Sequence, residues 1–96
     1  MSDAPRFFYE ILLPSNGTTP RDQLEDELES ALAGLGEVTG GGSGVLGSNL
    51  DVDAVDERAF GLILSVLERL EVTGARVREA TSTDGETWST SRTQTV

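Results

Sequence analysis

Gly42-Ser43-Gly44-Val45-Leu46-Gly47 fits G-x-G-x-x-G, a spacing that can cradle the pyrophosphate of a dinucleotide. That chemistry needs the glycines between a strand and the first turn of a helix, where free amides and the helix dipole meet the phosphates. Here they lead into another strand, in a chain of formal charge −10, so the context fails. The spacing suits a β-hairpin better, with glycine bulges that twist the ribbon and let a neighbour approach closely. A Gly-rich ribbon offering bare backbone to a partner is an intermediate reading.

Asp51-x-Asp53-x-x-Asp56-Glu57 gathers carboxylates where a hard cation would bind. On a strand, Asp51 and Asp53 point the same way, about 6.5–7 Å apart. The sixth-position glycine and distal bidentate glutamate of a calcium loop are missing, and Asp56 fits better as a helix cap. A solvated acidic strand face is therefore expected, with no metal site. Two carboxylates on one face also suit acid–base chemistry, but no nucleophile or oxyanion donor accompanies them. Tyr9 and Ser43 fit no particular reaction. The chain reads as non-enzymatic, with no catalytic residue and no cofactor.

A third constellation lies on the first helix. At 100° per residue, Asp22, Glu25, Asp26 and Glu29 fall together, opposite the Leu24, Leu28, Leu32 and Leu35 stripe. Asp22–Asp26 and Glu25–Glu29 are like-charge i,i+4 pairs, each costing about 0.2–0.5 kcal/mol. The helix dipole accounts for acids in the first turn but not for Glu29. Two readings remain open. The stripe is either a docking face for a basic partner, whose complementary charge speeds encounter, or a solvated face of an acidic proteome. Charge runs usually face water, which leans towards the second. Arg76 and Arg78 share one side of a later strand; they are expected to pair with Asp51, Asp53 or Glu79, or to discourage edge-to-edge association. Trp88 stands alone in a polar segment, as a lid over a sheet or an anchor for a partner.

Composition bounds these readings. The chain has 96 residues, seven of them Arg, none Lys, with seventeen acids and neither His nor Cys. The length fits one domain over 1–96, with an ordered core at about 6–81 and a hairpin extension or loose tail over 82–96. Without Cys or His, disulfides, thiolate zinc sites, cysteine nucleophiles and the usual general base are excluded. The acidity argues against nucleic acid and anionic membrane as partners. Residues 1–13 have no basic segment before a long apolar run, so no signal peptide or membrane span is expected and a cytoplasmic location is the default. Asn16-Gly17-Thr18 then reads as a turn.

The elements that position these groups follow from patterning. Phe7 to Leu13 alternates as a strand whose odd positions (Phe7, Tyr9, Ile11, Leu13) form one face; apolar Phe8 and Leu12 on the other make it central. Thr19-Pro20-Arg21-Asp22 starts a helix, with Thr19 as N-cap and Pro20 in its first turn. Gly34 and Gly36 end it. Glu37-Val38-Thr39 begins a second strand, and Asn49 to Val55 alternates as a third with Leu50, Val52 and Ala54 on one side. Asp56 caps a second helix carrying Phe60, Ile63, Leu64, Val66, Leu67 and Leu70. Ala75 to Ala80 is a fourth, more polar strand, expected at an edge; Thr83-Asp84-Gly85 turns. Glu86 to Val96 is a short fifth strand or a tail. The order predicts an α+β ferredoxin-like βαββαβ sandwich: a four-stranded antiparallel sheet, both helices on one face, and helix-linked parallel partners 1/3 and 2/4.

The Gly40–Gly44 ribbon and Gly47, followed by Leu50-Asp51-Val52-Asp53 and an amphipathic helix, resembles small uncharacterised bacterial proteins of ferredoxin-like type. It is also similar in outline to compact acidic immunity proteins that neutralise secreted toxins. The immunity resemblance implies a protein-binding module, inhibitory in action, that meets a basic toxin domain with Asp22, Glu25, Asp26 and Glu29. Asp51, Asp53 and Trp88 complete the candidate partner-binding set. An alternative is a ligand-sensing domain similar to ACT modules, which share the fold order and bind amino acids at a dimer interface. A homodimer would form through the sheet face or an edge strand.

Overall fold

A computed structural model describes residues 6–14, 20–44, 47–82 and 86–96. The expected turn at 15–17, the Thr19 cap, the Val45-Leu46 connection and the 83–85 turn lie outside the described residues. The elements run β1 (Arg6–Pro14), α1 (Arg21–Ala31), β2 (Gly36–Gly44), β3 (Gly47–Ala54), α2 (Arg58–Arg69), β4 (Arg76–Ser82) and β5 (Ser89–Thr95). The five strands form one sheet in the order β2-β3-β1-β4-β5, every neighbouring pair antiparallel. The architecture is α+β.

β1 is central because both of its edges are paired, with β3 on one side and β4 on the other. Its inner positions Tyr9 and Ile11 are fully buried beside Leu50 and Val52 of β3 and Val77 of β4. Leu24, Leu28 and Leu32 from the α1 segment and Ala59, Phe60, Ile63, Val66 and Leu67 of α2 pack into the same cluster, so both helices cover one face of the sheet. The helices are tied by Arg69 Nη2 to Glu27 Oε2 at 2.6 Å. A large apolar contact, not the ion pair, holds this layer: each Leu or Ile buried contributes about 1.5–3 kcal/mol of transfer free energy.

The pairings revise three expectations. The parallel partners are 1/2 and 3/4, not 1/3 and 2/4, because each helix links consecutive strands and leaves an antiparallel strand between them. β4 is not an edge: Arg76–Thr81 pairs with Thr95–Ser89 of β5, and Gly74 and Val96 extend the contact through Gly74 N–H to Val96 O at 2.8 Å. The polarity that suggested an edge comes from the outward Arg76 and Arg78 and from Glu79, which is buried on the inner face with Val77. α1 begins at Arg21 with Pro20, not Thr19, at its N-cap position.

Local geometry explains the boundaries. The N-cap position of α2 falls to Glu57, whose side chain makes no cap hydrogen bond, and not to Asp56; Asp56, one residue earlier, accepts the Arg58 backbone N–H on its Oδ1 at 2.8 Å. Gly34 (φ +83°) turns the chain after α1, and Leu35 and Gly36 N–H both return to Leu32 O. The glycine ribbon is regular strand through Gly44; its register shift falls between Val38 and Gly40, at Thr39 and not at a glycine. Gly41 is required for a different reason: a Cβ there would overlap the Asn49 carbonyl and the Arg21 guanidinium. Gly40 has open space around the same position.

Candidate functional site

The residues predicted to meet a partner divide between two sides of the molecule. Asp22, Glu25, Asp26 and Glu29 lie on α1 away from its buried Leu24 and Leu28, on the helical side. Glu25 pairs with Arg21 at 3.4 Å. Among the described residues Asp22, Asp26 and Glu29 have no cation partner, and all three are exposed. Their repulsion along the helix is uncompensated, and the helix persists because its leucine stripe is buried.

Asp51, Asp53 and Trp88 belong instead to the outer face of the sheet. Register places Arg6, Phe8, Glu10 and Leu12 of β1, Asn49, Asp51 and Asp53 of β3, and Arg76, Arg78 and Ala80 of β4 on that face. Trp88, just ahead of β5, meets Phe8 edge to face with ring centroids 6.2 Å apart. It lies over the sheet as a partial lid and stays 40% exposed, with Leu12 at 37%. Arg6 pairs with Asp53 at 3.5 Å, and Arg78 with Glu10. Asn49 Nδ2 donates to Asp51 Oδ1 at 3.2 Å. Arg76 and Arg78 therefore do not pair with Asp51, Asp53 or Glu79: β1 separates β4 from β3, and alternation sends Glu79 to the opposite face. Arg76 has no anionic partner among the described residues.

Sequence reasoning missed a third cluster, on the inner face. Glu79 is 4% exposed. Tyr9 Oη donates to its Oε2 at 2.6 Å, and Arg92 of β5 donates from Nε to Oε1 at 3.1 Å. The Arg92 guanidinium carbon sits 4.0 Å from the centre of the Phe60 ring, and Phe60 packs against Tyr9 at 5.8 Å. The buried carboxylate is thus paired and hydrogen-bonded, the condition for tolerating a charge in a core. Burial first, then the hydrogen bond to Glu79, pushes the Tyr9 hydroxyl far above its ordinary value of 10.0. The signal was present: Ala75, Val77 and Glu79 alternate on one side of a strand, and an acid in that row needs a partner.

Among the described residues no three acids converge where a metal ion would sit. A pocket of about 250 Å³ opens between Arg6, Gly36, Glu37 and Val55, where Arg6 is already engaged by Asp53. The Tyr9–Glu79–Arg92 cluster uses its polar atoms on itself. No helix of the described chain is long and apolar enough to cross a membrane. Comparison with protein-family models, curated proteins and solved structures yields no match.

Proposed function

We propose that the chain is a non-enzymatic protein-binding module of inhibitor or immunity type, which presents the acidic face of α1 to a basic protein in a bacterial cytoplasm. The observation that carries this reading is that Asp22, Asp26 and Glu29 stand exposed on one helix face with no cation beside them among the described residues. Meanwhile Glu27 and Glu25 of the same helix find arginines. A rigid helix anchored by two buried leucines is a better platform than a loop, because its charges keep fixed spacing. The order β2-β3-β1-β4, with a helix after β1 and another after β3, supports a ferredoxin-like reading extended by β5.

Such a module steers its partner electrostatically, so association rate more than dissociation rate depends on salt. The test is co-expression with the product of the adjoining reading frame, followed by calorimetric titration at low and high ionic strength. A salt-sensitive complex weakened at least tenfold by Asp26→Lys/Glu29→Lys is expected. Equal binding by that double variant, or no complex, overturns the reading.

A further inference from the structure

We propose that the outer face of the sheet is a two-fold interface between two copies of this chain. No described element other than Trp88 lies over that face: Arg6, Leu12, Arg76, Arg78, Thr90, Thr93 and Thr95 are exposed along it. Its centre, β1, carries Phe8 and Leu12 with Glu10 between them, the Glu10 charge met by Arg78, and Trp88 lies against Phe8. Its charge is divided by sign. Asp51 and Asp53 lie on β3, with Glu37 of β2 beyond them, and Arg76 and Arg78 lie on β4, with β1 between the two groups.

That division is self-complementary about one axis. A two-fold lying in the face and running along β1 places β3 of one copy over β4 of the other, so acids meet arginines twice, once on each side of the axis. A two-fold across the strands would stack β3 on β3 and carboxylate on carboxylate. Pairing within the chain leaves a matched remainder: Asp51 has only the Asn49 amide, and Arg76 has no acid among the described residues. They sit one same-face step apart along neighbouring registers, an offset of roughly 7 Å, which the long arginine side chain and the usual ~30° rotation of packed sheets accommodate. The glycines of β2 and the threonines of β5 keep the flanks low, so the β1 ridge can approach its copy.

Size sets the strength. Five strands of seven to nine residues make a face roughly 25 by 20 Å, or about 1,000 Å² over two copies, at the lower limit of a specific interface. The dimer is therefore weak, forms as concentration rises and loosens with salt. It leaves both α1 faces outward, so it is independent of the acidic-helix reading.

Sedimentation velocity of the full chain over a concentration series tests this. A reversible monomer–dimer equilibrium is expected, and a chain monomeric throughout overturns the proposal. Asp51→Arg and Arg76→Asp, both at solvent-facing positions, should each weaken self-association at least tenfold. Their equimolar mixture should restore it, because arginine at 51 then faces aspartate at 76. A mixture no better than its components overturns the pairing. Emission from Trp88, the single tryptophan, should shift to the blue with the dimer midpoint in the unsubstituted chain. A dimer that leaves Trp88 unmoved forms through the β2 or β5 edges and overturns the placement. Asp26→Lys/Glu29→Lys should dimerise as the unsubstituted chain does.

Discussion

Glu79–Arg92 and Glu10–Arg78 are the same chemical pair on opposite faces of one sheet. Glu79 lies opposite Tyr9, and the next rung pairs Glu10 with Arg78. Yet the side chain of Glu79 is 5% exposed and that of Glu10 25%. Inside, the carboxylate has lost water and depends on every donor it keeps; outside, either member can return to solvent. The same chemical pair thus carries unequal weight, because the cost of breaking it is set by what the survivor can do next.

Four substitutions put numbers on that contrast. Glu79→Ala should be the most damaging, about 3 kcal/mol by urea unfolding, since it leaves a cavity and strands the fully buried Tyr9 hydroxyl. A loss no larger than that of Glu10→Ala would collapse the contrast. Arg92→Ala should cost about 2 kcal/mol, because it leaves the buried Glu79 carboxylate without its cation, although Tyr9 still donates to it and no core volume is lost. Tyr9→Phe should cost about 1 kcal/mol at neutral pH, one hydrogen bond without a change of shape. Glu10→Ala should stay within about 0.5 kcal/mol and vanish in high salt.

Tyr9 also sharpens the comparison through pH. The folded chain holds the Tyr9 proton past the pH at which the unfolded chain, near 10.0, releases it. The unfolded state then binds fewer protons, so stability is intact below pH 10.0 and falls as pH rises beyond it. Because the chain has a single tyrosine, tyrosinate absorbance should appear together with loss of the far-ultraviolet signal, not before it. Tyr9→Phe should remove the tyrosine contribution to that slope. Tyrosinate forming near its ordinary value in a folded chain would show that Tyr9 is not held in the inner cluster.

What the sequence made legible follows how local the determining physics is. The two-sided apolarity of β1, the alternation of Leu50, Val52 and Ala54, and the apolar stripe of α2 are readable because each involves residues within one element. β5 was not decided, since Ser89–Thr95 is polar at every position and is held by its ladder and by Arg92. The missing fifth partner made β4 read as an edge and hid the burial of Glu79, whose partners lie 13 and 70 residues away. Of the acids that helical spacing puts on the open side of α1, Asp22, Asp26 and Glu29 are exposed and Glu25 is half-buried beside Arg21. That Asp51, Asp53 and Trp88 lie on the opposite side of the molecule depends on which face the helices cover, a property of the whole sheet.

The position of Arg92 in the chain has a consequence for synthesis. A ribosome adds about 5–20 residues per second and releases the chain from its N-terminal end. Tyr9 and Glu79 therefore emerge before the Arg92 guanidinium that pairs with the Glu79 carboxylate, and for that interval β4 lacks its β5 neighbour. The nascent sheet is completed only when the β5 strand has cleared the exit tunnel, so its last layer is added after translation of everything it covers.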